Sequence, residues 1–396
     1  MISFGILGAA DIAPLALIHP CMNEPRATVS VIGARSQDNA TGFARYHKIP
    51  NVAGNYAEVI NHESCNAIYN PLPISHHVEW SIAALQAGKH VLCEKSLASN
   101  AEQARRMATA AADNGLILMD AFHYRYHPLF IHAKKIYDSG DLGEIQSIDA
   151  VFSVSGITNP DDIRLNFATA GGVTMDIGCY PISWVRHLSE AEPDVISANA
   201  IVGPPNVDLM LEASMQLPGD IKASILGDMR PNGRFRADIV VTGSLGTMTV
   251  VNPLAPQMGH RLTIEIGGER QDLSFDRRPS YSYQLDAFIQ AVKTDTPPLT
   301  DGEDAVKQMM VIDQCYTAAG LPKRGAGNAE TNSRIFEIRE RRFRPYGKSF
   351  VRRARLLPDK KRLNERRNSP ACRRDLRRLR QLAKRQSSGR SSFNGR

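Results

Sequence analysis

Tryptophan and cysteine are scarce in this 396-residue chain, at 2 and 6 residues, and aromatic side chains make up only 7% of it. The cysteines, Cys21, Cys65, Cys93, Cys179, Cys315 and Cys372, are scattered without a CxxC pair. That spacing suggests neither a disulfide framework nor a zinc cluster, so no metal site is expected. No apolar run approaches the roughly 18 residues of a membrane span, and the first residues lack the basic start and cleavage site of a secretory leader. The expectation is a cytoplasmic protein that does not engage a membrane. Internal repeats are lacking too.

Hydrophobic residues are sufficient, at 42%, for two domains with separate cores. Charge is divided unevenly. Residues 334–396 hold 23 Lys+Arg against 5 Asp+Glu, a surplus of 18, so the overall +7 conceals a body at −11. Polyanions such as nucleic acid or anionic lipid would be attracted by the tail alone. From 325 onward the chain is too poor in apolar residues to offset its ordering entropy, which predicts a disordered basic tail. Leu376, Leu379 and Leu382 could form one basic amphipathic turn on a partner; a solvated tail is the plainer reading.

Up to Met119, short apolar runs at 2–7, 28–34, 67–70, 90–93 and 116–119 alternate with helix-like segments. This alternation predicts a parallel sheet covered by helices. One helix carries Val78, Ile82 and Leu85 on a common face and stops at Gly88, while Ser99-Asn100-Ala101-Glu102 has capping-box spacing for the next. After Asp120, strand-like stretches at 145–154, 195–202, 209–217, 221–228, 237–242, 247–251 and 262–266 predict one large, mostly antiparallel sheet. Late helices at 283–292 and 302–319 complete that second domain, which ends at Leu321-Pro322. The fold class is α/β: a nucleotide-binding domain over 1–120, an α+β substrate and oligomerisation domain over 121–324, and the tail from 325.

Directly after the first strand comes Gly8-Ala9-Ala10-Asp11-Ile12-Ala13, a G-x-A-x-x-A form of the Rossmann dinucleotide fingerprint. Gly8 makes the tight turn, and Ala10, Asp11 and Ile12 surround a helix N-terminus whose free N–H groups bind a pyrophosphate. A packing turn would use the same residue types, and only the place at the head of a β-α-β pattern favours the cofactor. At the end of the second strand, Arg35 and Ser36 stand where an NAD enzyme carries an acid for the ribose hydroxyl. They offer a 2′-phosphate a charge-assisted contact and a hydrogen bond, so NADP is expected ahead of NAD. The strand at 90–93 runs into Glu94 and Lys95 at the sheet edge where such folds bind ligands. Lys95 could polarise a substrate oxygen with Glu94 fixing it; a surface ion pair is the plain alternative.

Four ordered motifs, YNPLPISHH at 69–77, AGKHVLCEKS at 87–96, DAFHYRYHP at 120–128 and GGVTMDIGCYP at 171–181, resemble the glucose-fructose oxidoreductase/inositol dehydrogenase (Gfo/Idh/MocA) family over about residues 2 to 322. The resemblance implies a catalytic Lys95 with Asp176 and, four residues on, Tyr180. Tyrosine rather than histidine there is similar to the branch containing glucose-fructose oxidoreductase, NADP-dependent D-xylose dehydrogenase and dihydrodiol dehydrogenase. It also implies cofactor contacts from Pro71, Leu72 and His77, with His123 facing cofactor or substrate, and a homo-oligomer joined through the outer face of the large sheet.

The implied reaction moves a hydride between the nicotinamide and a sugar, anhydrosugar or cyclic polyol. Tyr180 serves as acid/base, its pKa lowered by the Lys95 ammonium; Lys95 stabilises negative charge on the reacting oxygen, and Asp176 binds a hydroxyl or orients Lys95. Three residues depart from the family pattern: Ser96 for proline, Ile74 for a frequent Asn and Asp120 for Glu. They predict a less rigid Lys95 and one missing polar contact. Specificity is expected in the second sheet and the loop at 156–169. A catalytically silent NADP-binding regulator of the same fold is the rival reading, and the joint retention of Lys95, Asp176 and Tyr180 speaks against it.

Overall fold

The computed structural model describes residues 1–157 and 159–325. The expected disordered tail and its leucine turn lie outside the described residues. In the first half the strands are β1 (Ile2–Leu7), β2 (Ala27–Gly33), β3 (Asn51–Ala53), β4 (Ala67–Asn70), β5 (His90–Cys93) and β6 (Leu118–Asp120). They form one parallel sheet in the order β3-β2-β1-β4-β5-β6. β3 escapes the sequence reading because three residues are too few to show a period.

The intervening helices are α1 (His19–Met22, entered through a widened turn at Pro14–Ile18), α2 (Gln37–His47), α3 (Tyr56–Ile60), α4 (His77–Gln86) and α5 (Ala101–Asp113). Gly88 does follow α4 in the left-handed region, at φ +76°. The cap of α5 is one residue later than expected: Asn100 accepts from the Gln103 amide at 3.0 Å, while the Gln103 side chain accepts from the Ser99 amide at 3.2 Å. Asparagine caps as well as serine, so the reciprocal pair simply shifts by one.

The second half contains α6 (Pro128–Ser139), β7 (Ile145–Ser153), α7 (Cys179–Ser189), β8 (Asp194–Val202), β9 (Asp208–Leu217), β10 (Ile221–Asp228), β11 (Arg236–Gly243), β12 (Gly246–Val251), β13 (Arg261–Ile266), β14 (Glu269–Leu273), α8 (Ser280–Thr294) and α9 (Gly302–Ala318). The eight strands form a second sheet in the order β14-β13-β12-β11-β7-β10-β9-β8, in which only β7 and β10 pair in parallel. β14 reads ERQDL, an edge strand with no apolar alternation to announce it. Ile148, Ala150, Phe152, Ile225, Ile239 and Val250 turn inward, into one cluster with Trp184 and Val185 of α7.

The late helices correct the expected division, because they cover both sheets. Leu285, Phe288 and Ile289 of α8 join Phe4, Ile6, Val29 and Leu92 in one cluster, with the Phe4 and Phe288 rings 5.3 Å apart. A parallel sheet must be covered on both faces, and α8 supplies cover that the first half of the chain lacks. α9 lies between α5 and α7: Met309, Ile312 and Tyr316 pack in the cluster of Met107 and Trp184, and Asp313 accepts from the Ala101 amide at 3.2 Å. Phe288→Ala is therefore expected to cost about 3–5 kcal/mol in urea unfolding, as for other large buried aromatics. A cost under about 1 kcal/mol would mean that α8 is not a structural part of the first sheet.

The chain also does not finish its packing at Pro322. Arg324 is wholly buried and pairs with Asp208, so any truncation of the tail must keep residues up to 325. Among the described residues no helix is long and apolar enough to cross a membrane, and no His/Cys/Asp/Glu group could hold a metal ion.

Candidate active site

The turn after β1 has the geometry a dinucleotide needs. Gly8 stands at φ +91°, and a Cβ there would lie 3.1 Å from Leu72 and 3.8 Å from the Tyr56 hydroxyl. Only glycine holds that conformation without strain. Ala10 and Ile12 are half-buried and Asp11 is exposed at the helix entry, while Ala13 is buried against the sheet. At the end of β2, Arg35 is exposed, and its charge reaches both Tyr56 and His76. The Ser36 hydroxyl accepts from the Asn39 amide as the cap of α2, which leaves its own proton for a phosphate oxygen. Tyr56, edge-on to Trp80 at 5.1 Å, closes this end of the groove; the sequence offers no motif that singles it out.

The loop after β4 places Pro71 and Leu72 across from this turn. His77, expected to line the nicotinamide, is fully buried instead. Its ring nitrogens face the carbonyls of Leu72 at 2.7 Å and Ser96 at 3.0 Å, and burial pushes its pKa down to about 4, so the neutral ring donates to one of the two. It thus stands between the loop after β4 and the corner after β5. Ile74 packs on the neighbouring apolar cluster.

The chemistry gathers at the end of β5. Lys95 Nζ donates to the Asp176 carbonyl at 2.6 Å and to its carboxylate at 3.2 Å, and stands 5.3 Å from the centre of the Tyr180 ring. Asp176 lies in a widened helical turn at Thr174–Gly178 that leads into α7, where Tyr180 is the second residue. Such wide turns recur at functional sites because they re-aim side chains without ending the helix. Lys95 and Asp176, 81 residues apart in the chain, thus form one cluster with Tyr180.

Two expectations about Lys95 are corrected. Its ion-pair partner is Asp176 and not Glu94, because adjacent residues leaving a strand point to opposite sides. Glu94 is buried and accepts from the Tyr69 hydroxyl at 2.6 Å; burial raises its pKa. Nor is Ser96 without contacts: its hydroxyl donates to the Met175 carbonyl at 3.2 Å, and its own carbonyl meets His77.

Around Tyr180 the site is aromatic and buried. Phe122 and Phe152 lie 5.4 and 5.7 Å from its ring, and its hydroxyl faces His123 Nε2 at 3.5 Å. Here the predicted direction of the pKa shift fails. Burial, with the nearby Tyr281, Cys179, Glu94 and Asp176, raises the phenol well above its ordinary value, and this outweighs the Lys95 ammonium. His123 is buried and neutral, its pKa pushed down to about 3 by burial, and it is held by Ser280 Oγ at 2.8 Å and by the Tyr281 ring at 4.0 Å. Asp120 is buried with neither carboxyl oxygen partnered, and burial with Asp304 and Glu94 raises its pKa well above the ordinary carboxylate value.

Two site residues were missed. Tyr281 escapes the sequence reading because the expected helix at 283–292 begins two residues after it. Arg164 sits within the loop marked for specificity and binds Asp176 Oδ2 through Nε at 2.9 Å. Burial alone would raise the Asp176 pKa, but Lys95 and Arg164 outweigh it and hold the carboxyl below its usual range.

Residues 2–122 match the family model described as an oxidoreductase family with an NAD-binding Rossmann fold, and residues 130–249 match the GFO/IDH/MocA C-terminal domain. The chain is 31% identical to the D-xylose 1-dehydrogenase (NADP(+)) 2 of Haloferax volcanii, an alignment covering 80% of this chain and 97% of the relative. It is similar, at TM-score 0.74 and 28% identity over 80% of this chain and 97% of the other, to KijD10, a 3-ketoreductase from Actinomadura kijaniata in complex with NADP and TDP-benzene. The aldose-aldose oxidoreductase of Caulobacter crescentus shares the fold, at TM-score 0.74 and 23% identity over 81% of this chain and 97% of that one. The two family models together cover more than half of the chain: it belongs to the GFO/IDH/MocA oxidoreductase family.

Proposed function

We propose that this protein is an NADP-dependent oxidoreductase acting on a CH–OH group, or the matching carbonyl, of a sugar, anhydrosugar or cyclic polyol. The observation that carries the reading is the Lys95 ammonium, held by Asp176 from the other half of the chain and poised over the Tyr180 ring. The cradle at Gly8, together with Arg35 and Ser36, fits a dinucleotide with a 2′-phosphate, and bound nicotinamide supplies or accepts the hydride. Lys95 donates to the substrate oxygen and stabilises its developing negative charge. Tyr180 delivers the proton to that oxygen in reduction and receives it in oxidation. Asp176 orients Lys95, and Arg164 fixes Asp176.

NADPH fluorescence titration, followed by nicotinamide absorbance with a panel of keto-sugars, aldoses, anhydrosugars and cyclic diols, tests the proposal. Binding together with turnover of at least one compound is expected; binding with turnover of none, in either direction, would favour the silent regulator. Arg35→Glu should shift the NADPH-to-NADH preference by about tenfold to a hundredfold toward NADH, the value of one charge-assisted contact. An unchanged ratio would move the 2′-phosphate site elsewhere.

A cytoplasmic homo-oligomer completes the proposal. Val151, Leu226 and Val240 share the outer face of the large sheet, and Ile201 and Val202 are exposed near its β8 edge. That surface suits a second copy.

A further inference from the structure

Two buried charges take no part in the chemistry above. Arg324 and Asp208 are both wholly buried. A sealed ion pair is favourable only when its remaining donors and acceptors are also used; here the Tyr316 hydroxyl donates to Asp208 Oδ1 at 3.2 Å and Arg324 Nη1 donates to the Pro322 carbonyl at 3.1 Å, and the others hold the stretch from Gly171 to Thr174. Arg324 donates from Nη2 to Asp208 Oδ1 and from Nε to the Gly171 carbonyl at 2.7 Å. Asp208 Oδ2 accepts from the Thr174 amide at 2.8 Å and the Thr174 hydroxyl at 2.6 Å. Gly172 stands at φ +132°, where a Cβ would fall 2.1 Å from Asp208 Oδ1, so the pair is pressed against the main chain itself.

This stretch leads straight to the reaction centre. The Gly172 amide donates to the Arg164 carbonyl at 2.9 Å, and the Asp176 amide donates to the Gly172 carbonyl at 3.1 Å. Arg164 and Lys95 then grip the two carboxylate oxygens of Asp176 at 2.9 and 3.2 Å. After the Arg324–Asp208 pair, the links are hydrogen bonds and ion pairs of ordinary length, and the series begins beyond Pro322, where the sequence alone suggests that the domain has ended.

We propose that Arg324, with Asp208, is a positioning residue of the active site: it fixes the backbone from Gly171 to Thr174 and thereby the alignment of Asp176 between Lys95 and Arg164. The inference rests on Lys95, Asp176 and Tyr180 forming the reaction centre. Arg324 touches neither substrate nor cofactor, and its effect passes wholly through Asp176.

The test uses the full chain with two variants. Arg324→Met/Asp208→Leu removes both charges and strands neither. Arg324→Lys keeps the charge balance but gives up the planar fork that serves Asp208 and Gly171 together. The readout is the titration of the Asp176 carboxyl by ¹³C NMR of aspartate-labelled protein, assigned with Asp176→Asn. Lys95, Arg164, Glu94, Cys179 and Tyr180 surround that carboxyl.

Loss of alignment should raise its midpoint by about one unit in the double variant, since a close cation lowers a carboxyl by that order. The lysine variant should move it less. Substrate kcat/KM should fall roughly tenfold to a hundredfold, while NADPH affinity stays within about twofold of the parent. A purely structural pair would lower the melting temperature and leave the Asp176 midpoint in place, and that result overturns the proposal. If the double variant does not fold, Arg324→Lys decides by the same criterion. If the parent protein turns over no sugar, the functional reading fails, but the Asp176 titration still answers for Arg324.

Discussion

Lys95→Met is expected to lower kcat/KM about 10³-fold with NADPH binding reduced only severalfold. Methionine matches the length and apolar stem of lysine, so the change isolates the charge. Burial works against that charge, but Asp176, with Cys179 and Glu94, outweighs it and holds the ammonium above the ordinary lysine range. Lys95 is thus held in its charged form, half-buried beside the Tyr180 ring that Phe122 and Phe152 flank, where a charge acts more strongly than in bulk water. Deleting one preorganised donor to a developing oxyanion costs about 10²–10³-fold in other enzymes. The upper end is expected here because the same group also lies beside the proton donor. The dinucleotide cradle at Gly8 and Arg35 is built from other loops and should keep its affinity. Steady-state kinetics with cofactor titration checks both halves, and a loss under about tenfold would remove Lys95 from the chemistry.

Much of this site is legible in sequence because it is made of motifs at strand ends. The turn at Gly8, the Lys95 corner and the Asp176–Tyr180 spacing each follow an element whose period can be read. What cannot be read is which long-range neighbour wins. Nothing local says that Lys95 chooses Asp176 over the adjacent Glu94, or that His77 places its ring between two carbonyls. Those outcomes depend on how the Thr174–Gly178 turn docks against Ser96.

The fold shows the same limit. The strands with strong alternation or long apolar runs are legible, whereas the three-residue β3 and the charged β14 carry no pattern. The amphipathic stripe of α8 is plain, but its partner is the first sheet. A stripe specifies that a face will be buried without specifying against what. The direction of the Tyr180 shift escapes the sequence for a related reason: a nearby cation can be inferred from motifs, whereas the depth of burial that outweighs it cannot.

That direction governs the second large effect. Tyr180→Phe should lower kcat about 10²–10⁴-fold, the usual range for a positioned proton-transfer group. Phenylalanine keeps the ring contacts, and the hydroxyl partner given up among the described residues is the long one to His123, so stability should change by no more than about 1 kcal/mol.

The pH profiles then separate acid from base. A phenol whose pKa is raised keeps its proton at every pH below that value. If Tyr180 is the donor, carbonyl reduction should show no alkaline limb from this group up to about pH 10, the reference value for tyrosine. Oxidation needs the deprotonated form, so its rate should climb about tenfold per pH unit across the same range until another step limits it. The phenylalanine variant should lose that slope along with the rate. An alkaline limb near neutrality in the reduction direction, absent from Tyr180→Phe, would mean that Lys95 prevails over burial once substrate and cofactor are bound, and that Tyr180 works from a lowered rather than a raised pKa.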